Sequence, residues 1–185
     1  MRPGFADPVL DSQAAFRALL EAMARPGRVQ RIAAGPDAPG LMRASAAALL
    51  TLADAETPVW TDAEAAREWI AFHTGARFAE PGEAMFLLAV LGTPPLASLN
   101  PGTDEAPQEG ATLIVEVSSL REGEGWRLTG PGIGREHRLR ADGLPADFAA
   151  QWAANATRFP RGVDVVLCCG DRLAALPRTT RLEES

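Results

Sequence analysis

The segment Ala111 to Ser119, ATLIVEVSS, limits the possible folds of this chain more than any other stretch. It is β-branched and apolar over the length of one strand. Val163 to Cys169 reads as a second buried strand, and Met85 to Leu91 is a continuous apolar run of similar length. Strands of this kind need a sheet covered on both faces, and the segments between them supply helices for that cover. The first helix is expected to start with Asp11 or Ser12 as its cap. It carries Phe16, Leu19, Leu20 and Met23 at helical spacing toward a sheet, and Pro26-Gly27 ends it. Leu41 to Ala53 is nearly all Ala and Leu, so a helix there is expected to be buried on most of its surface. A third helix runs from about Asp62 to Phe72 with Trp69 and Phe72 inward, and a fourth from about Ala146 to Thr157 with Phe148, Trp152 and Ala156 on one face. Glu122-Gly123-Glu124-Gly125 reads as a hairpin turn from which Trp126 to Thr129 returns antiparallel; Glu136 to Arg140 and Leu173 to Leu176 are further short strands.

Helices and strands interleave without strict βαβ periodicity. The expectation is an α/β fold, a mixed sheet with helices on both faces, in one domain spanning residues 1–185. Residues Gly92 to Gly110 hold four prolines together with Asn100, Gly102 and Asp104, and read as a long loop, either a partner-binding arm or a disordered segment.

Composition removes several chemistries. All eighteen basic residues are arginine, and neither lysine nor tyrosine occurs. A chain without lysine forms no Schiff base with pyridoxal phosphate or a carbonyl substrate, and holds no Walker or kinase lysine on a nucleotide. Codon bias toward Arg, Ala and Gly accounts for the composition, but the exclusions hold whatever its cause. A net charge of −6 without an evident basic face argues against nucleic acid. Cys168 and Cys169 are adjacent, so in a strand they point to opposite faces and form neither a disulfide framework nor a zinc site. No apolar run approaches the roughly 18–20 residues of a membrane span, and Arg2-Pro3-Gly4 with Asp7 lacks the pattern of a signal peptide; a cytoplasmic protein is expected.

Four clusters are candidates for contact with a ligand or a partner. The turn Thr129-Gly130-Pro131-Gly132-Ile133-Gly134 resembles an anion nest, yet no helix follows it and Pro131 lacks an N–H, so a structural turn between strands is favoured. Asp54, Glu56 and Asp62 suit helix capping and loop solvation better than acid/base or Mg²⁺ chemistry. His73 stands at a helix C-terminus before Gly75, where the helix dipole and a C′ glycine explain it structurally. Arg178-Thr179-Thr180-Arg181 could grip a phosphate or phosphonate, pair with a partner's carboxylates, or form a solvated tail. Asp164, at the start of a buried strand, is expected to pair with an arginine of the same fold. The candidate contact residues are thus Arg178, Thr179, Thr180, Thr129, Gly130, Gly132, His73 and Asp164.

The motifs also occur in a characteristic order. Leu50-Thr51-Leu52-Ala53-Asp54, Thr57-Pro58-Val59-Trp60 and Phe72-His73-Thr74 precede Gly110-Ala111-Thr112-Leu113-Ile114. Leu128-Thr129-Gly130 with Gly132-Ile133, Phe159-Pro160 with Gly162-Val163-Asp164, and Pro177-Arg178-Thr179-Thr180 follow. With Phe16-Arg17, Met23 and Pro26-Gly27 at the start, this series resembles the PhnH family, the H subunit of the bacterial carbon–phosphorus lyase system, over nearly the whole chain. The resemblance implies a three-layer α/β/α sandwich related to the pyridoxal-phosphate-dependent transferases but without their cofactor. It further implies action with the G and I subunits in joining a phosphonate to the ribose of ATP, with release of adenine. The product, a ribose 1-phosphonate 5-triphosphate, would lose pyrophosphate and be cleaved by the iron–sulfur J subunit. The family forms a homodimer alone and joins the G, I and J subunits in a core complex; the resemblance carries over no catalytic residue and no cofactor. Three roles follow for this chain: an accessory subunit foremost, a phosphate- or phosphonate-binding subunit of a composite site, or a stand-alone structural homodimer.

Overall fold

The structure, a computed structural model, describes residues 2–184; Met1 and Ser185, the ends of the expected 1–185 unit, lie outside the described residues. Helix α1 (Pro8–Ala24) leads through β1 (Gln30–Arg31) to α2 (Arg43–Leu52), then β2 (Val59–Thr61), α3 (Glu64–Thr74) and β3 (Phe86–Ala89). The chain continues through β4 (Thr112–Glu116), β5 (Ser119–Thr129), β6 (His137–Asp142), α4 (Phe148–Ala156), β7 (Asp164–Cys169), β8 (Arg172–Leu176) and β9 (Arg181–Glu183). Six strands form a mixed sheet in the order β1-β8-β7-β4-β3-β2, and three form an antiparallel sheet in the order β6-β5-β9. β2, β3, β4 and β7 are parallel, β8 runs against them, and the edge strand β1, antiparallel to β8, shares their direction.

The apolar runs become the middle of the six-stranded sheet because both of its faces are covered. Strand periodicity sends Leu88, Ile114, Val166 and Ala175 to one side, where α1, α2 and α3 pack on them. Leu87, Leu113, Val165 and Leu176 go to the other, beneath α4 and the three-stranded sheet. Helices therefore lie on both faces, three on one and one on the other. The vicinal cysteines divide between these sides, Cys168 with the three helices and Cys169 half-buried on the far side.

Several local expectations need correction. The cap of α1 is Asp7, whose carboxylate accepts from Val9 and Leu10 N–H at 3.0 and 2.9 Å, and Pro8 occupies the first turn. Of its apolar stripe only Leu19 is buried and Met23 half-buried; Phe16 and Leu20 remain 48% and 57% exposed. Trp69 is buried but Phe72 points outward. The Glu122–Gly125 segment is not a hairpin turn. It bulges within the long strand β5, with Glu122 and Trp126 both opposite Leu139 of β6, since Gly123 and Gly125 adopt the positive φ that a bulge needs. The 92–110 segment is not disordered. Two 3₁₀ turns, Leu96–Ser98 and Pro107–Glu109, carry it across from β3 to β4, with Leu96 and Leu99 in the core beneath α4.

Candidate functional site

The expected polar cluster after β8 is built around an internal ion pair. Because β7 and β8 pair with Val165 opposite Leu176, Asp164 at the start of β7 meets Arg178 just past the end of β8. Arg178 Nη2 donates to Asp164 Oδ2 at 2.6 Å, its Nε to Oδ1 at 3.1 Å, and its own backbone N–H to Oδ1 at 2.7 Å. The remaining nitrogen, Nη1, donates to the Pro107 carbonyl at 2.6 Å. The side chains are 12% and 15% exposed. Asp164 thus pairs with an arginine of the same fold, as its position suggested. Arg178 has every nitrogen engaged and is a strut joining β7, β8 and the 92–110 crossover.

Thr180 lies under α4, where its carbonyl accepts from Trp152 Nε1 at 2.9 Å, and Thr179 is exposed. Both stand against the glycine turn. Thr129 pairs with Arg181 across β5 and β9, and a methyl group at Gly130 would come within 2.9 Å of the Thr179 carbonyl. The structure therefore brings Thr129 and Gly130 to Thr179 and Thr180 by backbone packing, while the Arg178 guanidinium is held by Asp164 and Pro107. Gly132 sits elsewhere on the same turn, pressed against the carbonyl of Ala24 at the end of α1.

His73 shares no contact with the other candidates. Its Nε2 and the Trp69 Nε1 meet the Arg2 carbonyl at 3.1 and 3.0 Å, and its ring packs on Trp69 and Phe72. The histidine borders an open cleft of ≈470 Å³ with Gly4, Phe5, Ser12 and Thr51. The hydroxyls of Ser12 and Thr51 there donate to the helix carbonyls of Pro8 and Ala47. A structural role, fastening the N-terminal arm to α3, accounts for His73.

Two carboxylates at the C-terminal ends of parallel strands also serve structure. Asp62, just past β2, accepts from Val90, Leu91 and Gly92 N–H at 2.8, 2.9 and 3.0 Å, filling the nest of amides that ends β3. Asp62→Ala is expected to cost about 1–3 kcal/mol, since three donors lose a charged acceptor; urea denaturation reads it, with Asp62→Asn recovering part. Glu116 at the end of β4 accepts from Met42 N–H at 2.7 Å and from the Ser45 hydroxyl, capping an α2 N-terminus that its own N-cap residue leaves bare. Asp54 closes its own turn by accepting from Glu56 and Thr57 N–H. Burial pushes the Cys168 thiol well above its ordinary range, so it is not a nucleophile. On the small sheet, the Ser119 hydroxyl and Arg140 hold Asp142 below the usual carboxylate range, and Arg127 does the same for Glu136. Arg31 likewise lowers Asp171. These groups are ion-paired at the surface.

Sequence reading also missed an exposed apolar face. Val9, Phe16 and Leu20, at intervals of seven and four residues, fall on one stripe of α1 directed away from the core formed by Ala15, Leu19 and Ala22. Val9 is 74% exposed. The signal lay in the sequence as a helix apolar on more sides than one sheet can cover.

Comparison with known proteins bears on this arrangement. A family model described as "Bacterial phosphonate metabolism protein (PhnH)" matches residues 3–183. Over 189 residues the chain is 43% identical to the alpha-D-ribose 1-methylphosphonate 5-triphosphate synthase subunit PhnH of Rhizobium meliloti, covering 97% of this chain and 94% of that protein. It is 36% identical over 175 residues to a protein of Stutzerimonas stutzeri that carries the name C-P lyase subunit protein HtxG, covering 92% of this chain and 85% of that one.

Proposed function

The chain belongs to the PhnH family of bacterial phosphonate metabolism proteins, and on that premise we propose that it is a non-catalytic subunit of a carbon–phosphorus lyase assembly in organic phosphonate catabolism. In this reading it acts with the G and I subunits in forming ribose 1-phosphonate 5-triphosphate from ATP and a phosphonate, with adenine released. It joins the G, I and J subunits in a cytoplasmic core complex and pairs with itself when isolated. Its layers descend from the α/β/α sandwich of the pyridoxal-phosphate-dependent transferases, with no cofactor retained; the absence of lysine agrees with that loss.

The observation that carries the subunit reading is the outward stripe of α1. A helix in a finished monomer directs its large apolar residues inward, and contiguous exposed ones mark interaction surfaces. Phe16 and Leu20, beside Val9 and Leu10, form such a face while the opposite side of α1 is already packed. Conversely, the polar groups suggested by sequence are occupied by structural bonds: Arg178 by Asp164 and Pro107, Asp62 by three amides.

Phe16→Asp with Leu20→Asp is expected to leave the thermal unfolding of the isolated chain within a few degrees of the parent, because both side chains lie outside the core. Co-expressed with the G, I and J subunits, the double variant is expected to be lost from the purified complex. Full incorporation of the variant would refute the assignment of α1 as the docking helix.

A further inference from the structure

We propose that the cleft between the turn of residues 25–28 and the glycine turn after β5 binds a tetrahedral oxyanion, a phosphoryl or phosphonyl group. The proposal is independent of the docking role of α1 and concerns the opposite, C-terminal end of that helix.

Two glycines create the cleft by allowing close backbone approach. A methyl group at Gly27 (φ +82°) would stand 2.5 Å from Leu128 Cδ1 and 2.9 Å from His137 Cδ2, and one at Gly132 (φ +82°) would stand 2.1 Å from the Ala24 carbonyl oxygen. The turn after α1 is therefore pressed against both β6 and the glycine turn. Each wall is anchored from outside the cleft. Gly27 N–H donates to the Ala175 carbonyl at 3.1 Å, and Glu122 accepts from Val29 N–H at 2.8 Å while its other oxygen lies 3.1 Å from His137 Nε2. An anion entering this space would meet groups already held in place, which limits the ordering cost of binding.

The lining has the chemistry of an oxyanion site. Arg25, whose Nε pairs with Glu21 Oε1 at 3.0 Å, and Arg28 border it on one side and Gly132 and Gly134 on the other, with Glu136 and His137 at the base of β6. The guanidinium of Arg28 makes no hydrogen bond or ion pair among the described residues, and the amides of Gly132 and Gly134 donate to no group among them. Planar guanidinium and paired turn amides are the donors that tetrahedral anions take. The carboxylate of Glu136 is engaged by Arg127 Nε at 2.8 Å. A volume of ≈60 Å³ is several times the ~10–15 Å³ that admits one water, enough for one five-atom head group and too small for a nucleoside. The turn is the one whose sequence resembles an anion nest but favours a structural turn; its guanidinium partners come from the end of α1 rather than from Arg178.

The test is an NMR titration of the isolated, folded chain at fixed ionic strength, with inorganic phosphate, methylphosphonate and ATP in separate arms. The expected result is saturable shifts of the Gly132 and Gly134 amides with a dissociation constant of roughly millimolar order, weakened about tenfold or more in Arg25→Ala/Arg28→Ala. Saturation by phosphate or methylphosphonate assigns the site to a free oxyanion, and saturation by ATP alone assigns it to a nucleotide's phosphate chain; either sustains the proposal. No movement of these amides with any of the three, or unchanged binding in the double variant, overturns it. Both arginines are exposed, and loss of amide dispersion would reveal a variant that had unfolded.

Discussion

Arg178→Ala is expected to destabilise the protein by about 3–5 kcal/mol, because it leaves the largely enclosed Asp164 carboxylate, 15% exposed, without its counter-charge. For a chain of this size that corresponds to a fall of roughly 6–20 °C in Tm. The geometry sets the magnitude. Asp164 receives three donors from Arg178, including its backbone N–H, and the fourth donor of the residue ties Pro107 to the same point. Gly110 has no side chain to spare there, since a methyl group on it would sit 2.5 Å from the Gly162 carbonyl and 2.8 Å from Arg178 Nη1. Removing the guanidinium therefore loosens the 92–110 crossover as well as the β7–β8 end. Urea denaturation with a linear extrapolation checks this, and an unchanged m-value keeps the comparison two-state. The double change Arg178→Met with Asp164→Leu is expected to recover much of the loss, as replacing both charges by apolar groups removes the stranded carboxylate. A loss below about 0.5 kcal/mol in Arg178→Ala, within the range of ordinary surface substitutions, would instead restore the free-guanidinium reading of the sequence.

That contrast shows what was legible in the sequence. β4 and β7 could be read because strands covered on both faces are apolar without interruption, and no partner needs to be known to see it. The inward faces of α4 and the burial of α2 followed from the same logic of periodicity. Four things did not. The side of α1 that faces the sheet could not be chosen, because Leu19 and Leu20 are both good core residues and only the docked geometry separates them. Asp164 was correctly expected to find an arginine, but Arg178 was also placed beside Thr179 and Thr180 as a ligand cluster. The register that puts Val165 opposite Leu176 sends its side chain to Asp164 and away from the threonines. The carboxylate of Asp62 was seen as a capping group, yet its actual donors, residues 90–92, belong to another strand end and only the parallel pairing of β2 with β3 delivers them. The cleft beside Gly132 is hidden for the same reason: Arg28 and Gly134 come together only because the turn after α1 docks against the small sheet.

Substituting alanine at three glycines of the small sheet and its turn is expected to separate those layers of information. At Gly134 a methyl group meets nothing within 4 Å and the backbone needs no positive φ, so the change is expected to be within about 0.5 kcal/mol of neutral. At Gly123 the space is equally open but φ is +88°, so Gly123→Ala carries the left-handed conformational cost alone, about 1–2 kcal/mol. At Gly132 the same conformational cost, at φ +82°, is joined by a methyl group 2.1 Å from the Ala24 carbonyl oxygen. A backbone atom of a helix terminus cannot rotate out of the way as a flexible side chain can, so overpacking adds about 1–3 kcal/mol. Gly132→Ala is thus expected to cost about 2–5 kcal/mol in total, measured by urea denaturation on the same footing as the other two. The order Gly134, Gly123, Gly132 is the discriminating result. If Gly132→Ala cost no more than Gly123→Ala, the glycine turn would not be pressed on the end of α1, and the wall it gives to the anion cleft would be free to move.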